Sequence, residues 1–269
     1  MDLKIKAYTM PTNLEEAYQL LQKDDAAIIA GGAWLKLLPK TLSQGIDLSG
    51  LKLDSINESE EYYTIGSMVT LRQIETHSSL GTFMGGVLQE AISHIMGVPI
   101  RNIATIGGTV AGRYGFSDLL TPLLALKANL VFYKKGQVSL ESYLKEAPKE
   151  KDILLQIIIK KEYGKANYST VKKTANDFPI LNVSVVKIGS HFRVAVGARP
   201  SVATFAIKSM TYLNDSKTLT EEIIKEAARI AVEEIKFGGN ARASKAYRTQ
   251  LCKVMVERGI KEVAYENTN

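Results

Sequence analysis

Apolar and polar positions alternate between helical and strand periods along the chain, and the first switch comes early. Thr12-Asn13-Leu14-Glu15 fits a capping box, and Leu14, Ala17, Tyr18 and Leu21 then share one helical face. Ala26-Ala27-Ile28-Ile29 reads as a buried strand that runs straight into Gly31-Gly32, with a second strand expected around Gly45-Ile46-Asp47-Leu48. Together these segments make a small α/β unit, residues 1–56.

The pattern restarts with a strand at Tyr63-Thr64-Ile65-Gly66. Helical segments around Leu71–Glu75 and Gly86–Ile95 follow, then a glycine-rich turn near Gly107, and a strand over Ile153–Ile159 closes a second unit, residues 57–163. Residues 164–269 change character. Strands at Tyr168–Lys172, Ile180–Ile188 and Phe192–Ala198 precede two helices, which predicts an α+β unit with a three-stranded antiparallel sheet. The first of those helices begins at the capping box Thr218-Leu219-Thr220-Glu221 and carries Ile224, Ala228, Ala231 and Ile235. The second, near Ser244–Gly259, carries Tyr247, Leu251 and Val254. No repeat and no low-complexity linker separates the units, so they are expected to pack on one another with a ligand cleft between them.

Composition narrows the function classes. The 269 residues carry 34 Lys+Arg against 28 Asp+Glu, a net +6, but the charges are interspersed, which argues against a nucleic-acid arm. The longest apolar run, around Ile153–Ile159, is far shorter than the roughly 20 residues of a membrane-spanning helix. The first residues alternate charged and apolar side chains without a signal-peptide core, so a cytoplasmic location is expected. The single cysteine, Cys252, cannot by itself ligate an iron–sulfur cluster, and its apolar neighbours suggest a small buried hydrophobe. His77, His94 and His191 show no ligand spacing, so no metal site is expected.

Two glycine pairs carry the candidate chemistry: Ala30-Gly31-Gly32-Ala33 after a strand, and Thr105-Ile106-Gly107-Gly108-Thr109. Glycine permits positive φ and close backbone approach, so successive N–H groups can converge on phosphate oxygens, and two such loops could hold a diphosphate. Either pair alone reads as easily as an ordinary turn or packing contact, and no Gly-x-Gly-x-x-Gly fingerprint occurs.

Ile29-Ala30-Gly31-Gly32 with Leu35 resembles the Ala-Gly-Gly-Thr segment of the flavin subunits of xanthine dehydrogenase and carbon monoxide dehydrogenase. The run Pro99-Ile100-Arg101-Asn102-Ile103-Ala104-Thr105-Ile106-Gly107-Gly108-Thr109, followed by Ser117-Asp118-Leu119-Leu120-Thr121-Pro122, is similar to that family's most recognisable stretch. The likeness continues through Ile65–Leu71, Ile153–Ile157 and Arg242–Arg248. The resemblance implies a two-part FAD-binding domain of the para-cresol methylhydroxylase type followed by a small α+β C-terminal domain. It implies FAD contacts along Ile28, Ile29, Ala30, Gly31, Gly32, Ala33, Trp34 and Leu35, along Thr105, Ile106, Gly107, Gly108 and Thr109, and at Asp118, Leu154 and Phe178. Asp118 has an ordinary role open to it as well, as an acidic residue in a helix's first turn after Ser117, and Phe178 could equally fill core between strands.

By the same resemblance the partners are a small subunit with 2Fe-2S clusters and a large molybdenum-cofactor subunit, and NAD(H) is a candidate electron acceptor. No catalytic acid, base or nucleophile on this chain is then required. The chain departs from the pattern at Ala33-Trp34, where the family has Thr or Ser followed by a polar residue, at Lys172-Lys173-Thr174 in place of paired arginines, and at Ser169 in place of lysine. These departures leave a second reading, a non-catalytic assembly or nucleotide-binding subunit without productive flavin chemistry.

Overall fold

The Asn13 side chain accepts a hydrogen bond from the Glu16 N–H at 2.9 Å and so caps the helix Leu14–Gln22. The reciprocal carboxylate is Glu16, which takes the Thr12 N–H at 2.8 Å. The box therefore sits one residue later than the sequence suggests, because Glu15 is drawn away to Lys134 at 2.8 Å and to the Tyr133 hydroxyl at 2.9 Å. Ala17 and Leu21 bury the apolar face of this helix against a parallel sheet ordered Tyr8–Thr9, Gln44–Asp47, Ala26–Ile29. The last of these strands lies at the sheet edge and is half-buried throughout rather than buried. Ile29 packs over Gly45, and Ile28, on the alternate face, packs against the small core under the first helix and borders a cavity.

The computed structural model describes residues 3–265. Their second sheet is antiparallel and five-stranded, ordered Ile56–Glu58, Tyr62–Gly66, Leu154–Lys160, Asn129–Phe132, Gly136–Ser139. Its central strand holds the apolar sequence, with Ile157 paired to Ile65 on one side and Leu130 on the other. A bulge between Leu154 and Gln156 reverses the alternation there. Leu154 thereby joins Ile157 and Ile159 in the large core, while Leu155 turns to the small core under the first helix.

Short helices cover this sheet, and a buried cation braces three of them. Arg101, in the helix Val98–Ile103, bonds the Glu75 carboxylate at 2.9 Å and the carbonyls of Ser93, Ile95 and Met96 at 3.1–3.2 Å. Glu75 lies in the helix Leu71–Glu75, and the three carbonyls follow from the helix Val87–Ser93.

The third sheet is antiparallel: Lys165–Val171, Leu181–Ile188, His191–Gly197, with the two-residue strand Thr204–Phe205 added at its edge. Both of its faces are covered, which explains the unbroken burial along Leu181–Val186. Leu181, Val183, Val185, Val194 and Val196 meet the helices of their own unit, whereas Val186, Ala195, Tyr168 and Phe205 belong to the core of the second unit.

Three helices rather than two follow the sheet. Ile207–Asp215 escaped the sequence reading because it offers a weak apolar stripe; its buried Ser209 is satisfied by the Ala227 carbonyl at 2.8 Å. Thr220, not Thr218, caps Glu221–Glu234. The last helix, Lys245–Tyr265, buries Arg248, Cys252, Met255, Val256, Gly259, Ile260 and Val263, while Tyr247 and Val254 are exposed. Its inward face is rotated by about one position (100°) from the expected one, since a charged residue, Arg248, stands at a core position. Burial pushes the Cys252 thiol up to about 12, so the group stays a neutral hydrophobe. No helix among the described residues is long and apolar enough to cross a membrane.

Arg248 is fully buried and has no carboxylate partner among the described residues. Its guanidinium donates to the carbonyls of Ile180, Gly238 and Ala243 at 2.7–3.0 Å and to the Asn240 side chain at 2.8 Å. Arg248→Met strands those acceptors and is expected to lower stability by about 2–4 kcal/mol, read as a lower midpoint in urea unfolding. An unchanged midpoint would show that water replaces the guanidinium.

Candidate functional site

The two glycine segments meet backbone to backbone. A Cβ on Gly31 would lie 1.3 Å from the Ile103 carbonyl oxygen, so only glycine lets the loop after the strand Ala26–Ile29 settle against the end of the helix Val98–Ile103. Gly107 is pressed in the same way on Ser67, whose carbonyl oxygen would be 2.5 Å from an added Cβ. Gly108 completes the seam, where an added Cβ would come within 3.7 Å of the Ala30 methyl.

The two segments differ in what they offer. Thr105-Ile106-Gly107-Gly108-Thr109 is not a turn but the N-cap and first turn of the helix Ile106–Ala111. Its N–H groups are taken: Ile106 by Val69, Gly107 by Ser67, Gly108 by the Thr105 hydroxyl and Thr109 by the Thr105 carbonyl, at 2.9–3.1 Å. By contrast, none of the N–H groups from Gly31 to Leu35 donates to a protein acceptor among the described residues. Gly32 has φ +64° with open space where a Cβ would be, the left-handed step that turns successive donors to one side.

These segments line a cavity of about 1220 Å³, beyond the roughly 300–1,000 Å³ of ordinary ligand pockets. Ile28, Ala30, Gly31, Gly32, Ala33, Trp34, Leu35, Thr105, Gly107, Gly108, Thr109 and Leu154 all border it. Ile29 and Ile106 do not: the first packs over Gly45 and the second is core. The sequence reading missed Ser67, whose buried hydroxyl borders the cavity and has no partner among the described residues. It also missed the rim around Lys134, Lys135, Lys149 and Lys151. Ser67 lies within Ile65–Leu71, so the likeness of that stretch was the available signal; the rim residues carry none, as lysine near a loop is ordinary surface.

Asp118 and Phe178 lie in a separate chamber of about 30 Å³ behind Trp34. Asp118 is buried and receives hydrogen bonds from the Tyr168 hydroxyl at 2.6 Å and the Lys172 ammonium at 3.0 Å. Burial pushes its carboxyl above the usual range, opposed by Lys172 and Tyr168. Lys172, one of the departures noted in the sequence, is thus the counter-ion of Asp118. Trp34, the other, sits among aromatic rings: Phe178 at 5.3 Å, Phe116 at 5.7 Å and Tyr114 at 6.4 Å between centroids.

Gly31→Ala is expected to abolish stable folding of the first two units or to part the glycine seam, since the clash is with backbone on both sides; a cooperative melt matching the parent would refute the contact. The Asp118 carboxyl binds its proton more tightly folded than unfolded. Its contribution to stability is therefore full below the ordinary carboxylate range and fades as pH rises through the raised pKa. Lys172→Met should extend that fading to higher pH, and Lys172→Met combined with Asp118→Asn should remove it, as read from urea midpoints at stepped pH.

Comparison with known proteins places these features. The FAD binding domain in molybdopterin dehydrogenase matches residues 3–160, and the CO dehydrogenase flavoprotein C-terminal domain matches residues 166–263. Uncharacterized protein YgfM of Escherichia coli (strain K12) is 30% identical over 185 residues, covering 67% of this chain and 69% of its own. The 6-hydroxypseudooxynicotine dehydrogenase complex subunit alpha of Paenarthrobacter nicotinovorans is 27% identical, covering 93% and 92%. A chain of carbon monoxide dehydrogenase from Hydrogenophaga pseudoflava shares the fold with a TM-score of 0.86 at 24% identity, covering 95% and 96%. The chain therefore belongs to the family of FAD-binding subunits of molybdenum hydroxylases and is a flavoprotein oxidoreductase subunit.

Proposed function

We propose that this chain holds FAD with its diphosphate over Ala30–Leu35 and passes electrons between iron–sulfur clusters of a partner subunit and NAD or another acceptor. In this reading residues 1–56 and 57–163 are the two halves of the cofactor-binding domain, and 164–269 form the C-terminal unit. The observation that carries it is the run of N–H groups from Gly31 to Leu35 with no protein acceptor among the described residues. The same residues line the cavity of about 1220 Å³, and the unsatisfied Ser67 hydroxyl belongs to its wall.

The donor set suits this group. Main-chain N–H dipoles hold phosphate without a cationic side chain in the loop, so Ala33 and Trp34 cost the diphosphate little. The helix turn at Thr105–Thr109 contributes shape rather than donors, because its own N–H groups are spent. Leu154, turned inward by the bulge, supplies apolar wall, and Asp118 and Phe178 reach the cofactor from the chamber behind Trp34. When bound, FAD exchanges a hydride with a nicotinamide and also gives or takes electrons singly.

The chain's single cysteine supports placing the clusters elsewhere, on a small 2Fe-2S subunit beside a large molybdenum-cofactor subunit. The complex named for the Paenarthrobacter relative supports such an assembly.

The test is a visible spectrum of the purified chain with identification of the released cofactor. FAD with bands near about 370 and 450 nm is expected of a flavin. A colourless chain that takes up no FAD would overturn the reading. Anaerobic NADH should bleach the longer band if NAD is the acceptor; a band that NADH leaves intact but dithionite bleaches would assign the electrons to another acceptor.

A further inference from the structure

Trp34 is the only tryptophan of the chain, and it borders both the large cavity and the small chamber behind it. Thr109 and Tyr114 are the other residues common to both spaces. The partition is therefore one indole, one phenol ring and one hydroxyl. In its present size the chamber admits about one water molecule, yet its wall holds the buried Asp118–Lys172 pair. A charged pair facing a space that small is costly unless something polar enters it.

The aromatic wall stands on irregular backbone. Trp34, Tyr114, Phe116 and Phe178 are all half-buried and all stand on turns or loops rather than on helices or strands. Their contacts are mostly tilted or edge-on, with Phe116 and Phe178 closest at 4.1 Å. Rings on irregular segments shift at lower cost than rings on helices or strands, and a flat ligand ring returns the aromatic contacts it displaces. The opposite end of the cavity is rimmed by lysines and carboxylates, and its Tyr18 and Tyr143 rings already lie under the Lys134 ammonium and the Arg113 guanidinium.

We infer that the Trp34 indole is a gate: FAD docks its diphosphate first on the open loop Ala30–Leu35, and its flat ring then displaces the indole and enters the chamber. Opening merges the two spaces and brings the polar edge of the ring to the Lys172–Asp118 pair. Lys172 then acts as a positioning residue. The inference rests on the FAD reading above and adds an order of events and a residue to it.

Rapid mixing of the flavin-free full chain with FAD, followed by intrinsic fluorescence, tests it, because the emission of the lone tryptophan reports the gate itself. The expected trace has a first phase whose rate rises with FAD concentration and a second whose rate does not, the second carrying the change in indole emission. ADP, which has the diphosphate but no flat flavin ring, should give the first phase alone. Trp34→Thr, followed by flavin fluorescence, should lose the second phase, and Trp34→Phe should keep it. A single phase linear in FAD concentration for the parent chain, or a second phase that survives in Trp34→Thr, would overturn the gate while leaving FAD binding intact. Absence of any FAD uptake would overturn the functional reading and the gate together.

Discussion

The approach of Gly31 to the Ile103 carbonyl is the contact on which the rest of the site depends. It joins the edge of the first sheet to the helix that ends before Thr105, and no side chain takes part. Once it forms, Gly108 falls beside Ala30, Gly107 is wedged on Ser67, and the loop from Gly31 onward is held with its N–H groups unspent. The glycines are thus needed first for protein touching protein; exposure of main-chain donors to a ligand follows from that packing. A floor made this way depends little on which side chains decorate it, so the apolar Ala33 and Trp34 can stand in the loop without disturbing it.

Much of this was legible in the sequence, and the failures have physical causes. Strand and helix periods located the strands Ala26–Ile29, Tyr62–Gly66 and Leu154–Lys160, the three long strands of the third sheet, and the helices Leu14–Gln22 and Glu221–Glu234, but not the strands Asn129–Phe132 and Gly136–Ser139 that complete the second sheet. Ile207–Asp215 was invisible because Ser209 stands at a core position there, satisfied by a carbonyl that only the fold supplies. The last helix was read one position out of phase because Arg248 looks like surface. The second glycine pair looked like a turn, and only the capping by Thr105 shows it to be helix. Ser67 was passed over since a serine between a strand and a helix looks like an ordinary connection until its hydroxyl is found without a partner among the described residues. In the helices Ile207–Asp215 and Lys245–Tyr265 a polar residue is buried through a contact distant in sequence.

Two buried guanidinium groups illustrate different solutions to one problem. Arg101 shares its charge with Glu75, whose carboxyl burial pushes up but Arg72 and Arg101 hold below the ordinary range. Arg248 has only neutral acceptors, and spreads its charge over three carbonyls and an amide. Both tie chain ends and turns that have no regular hydrogen-bonding ladder of their own, a task suited to the five-donor fork of arginine.

The shared core has a consequence for how the chain matures. Its buried residues run from Ala33 to Phe205 and include Tyr168, Val186 and Ala195 on the far face of the third sheet. While the protein is being synthesised, the second unit cannot close over that face until the strand ending at Gly197 and the segment after it have left the ribosome. Nascent chains of intermediate length must therefore display a broad apolar surface. Closure of the second unit is thus tied to synthesis of the third, and the interval between them invites chaperone protection.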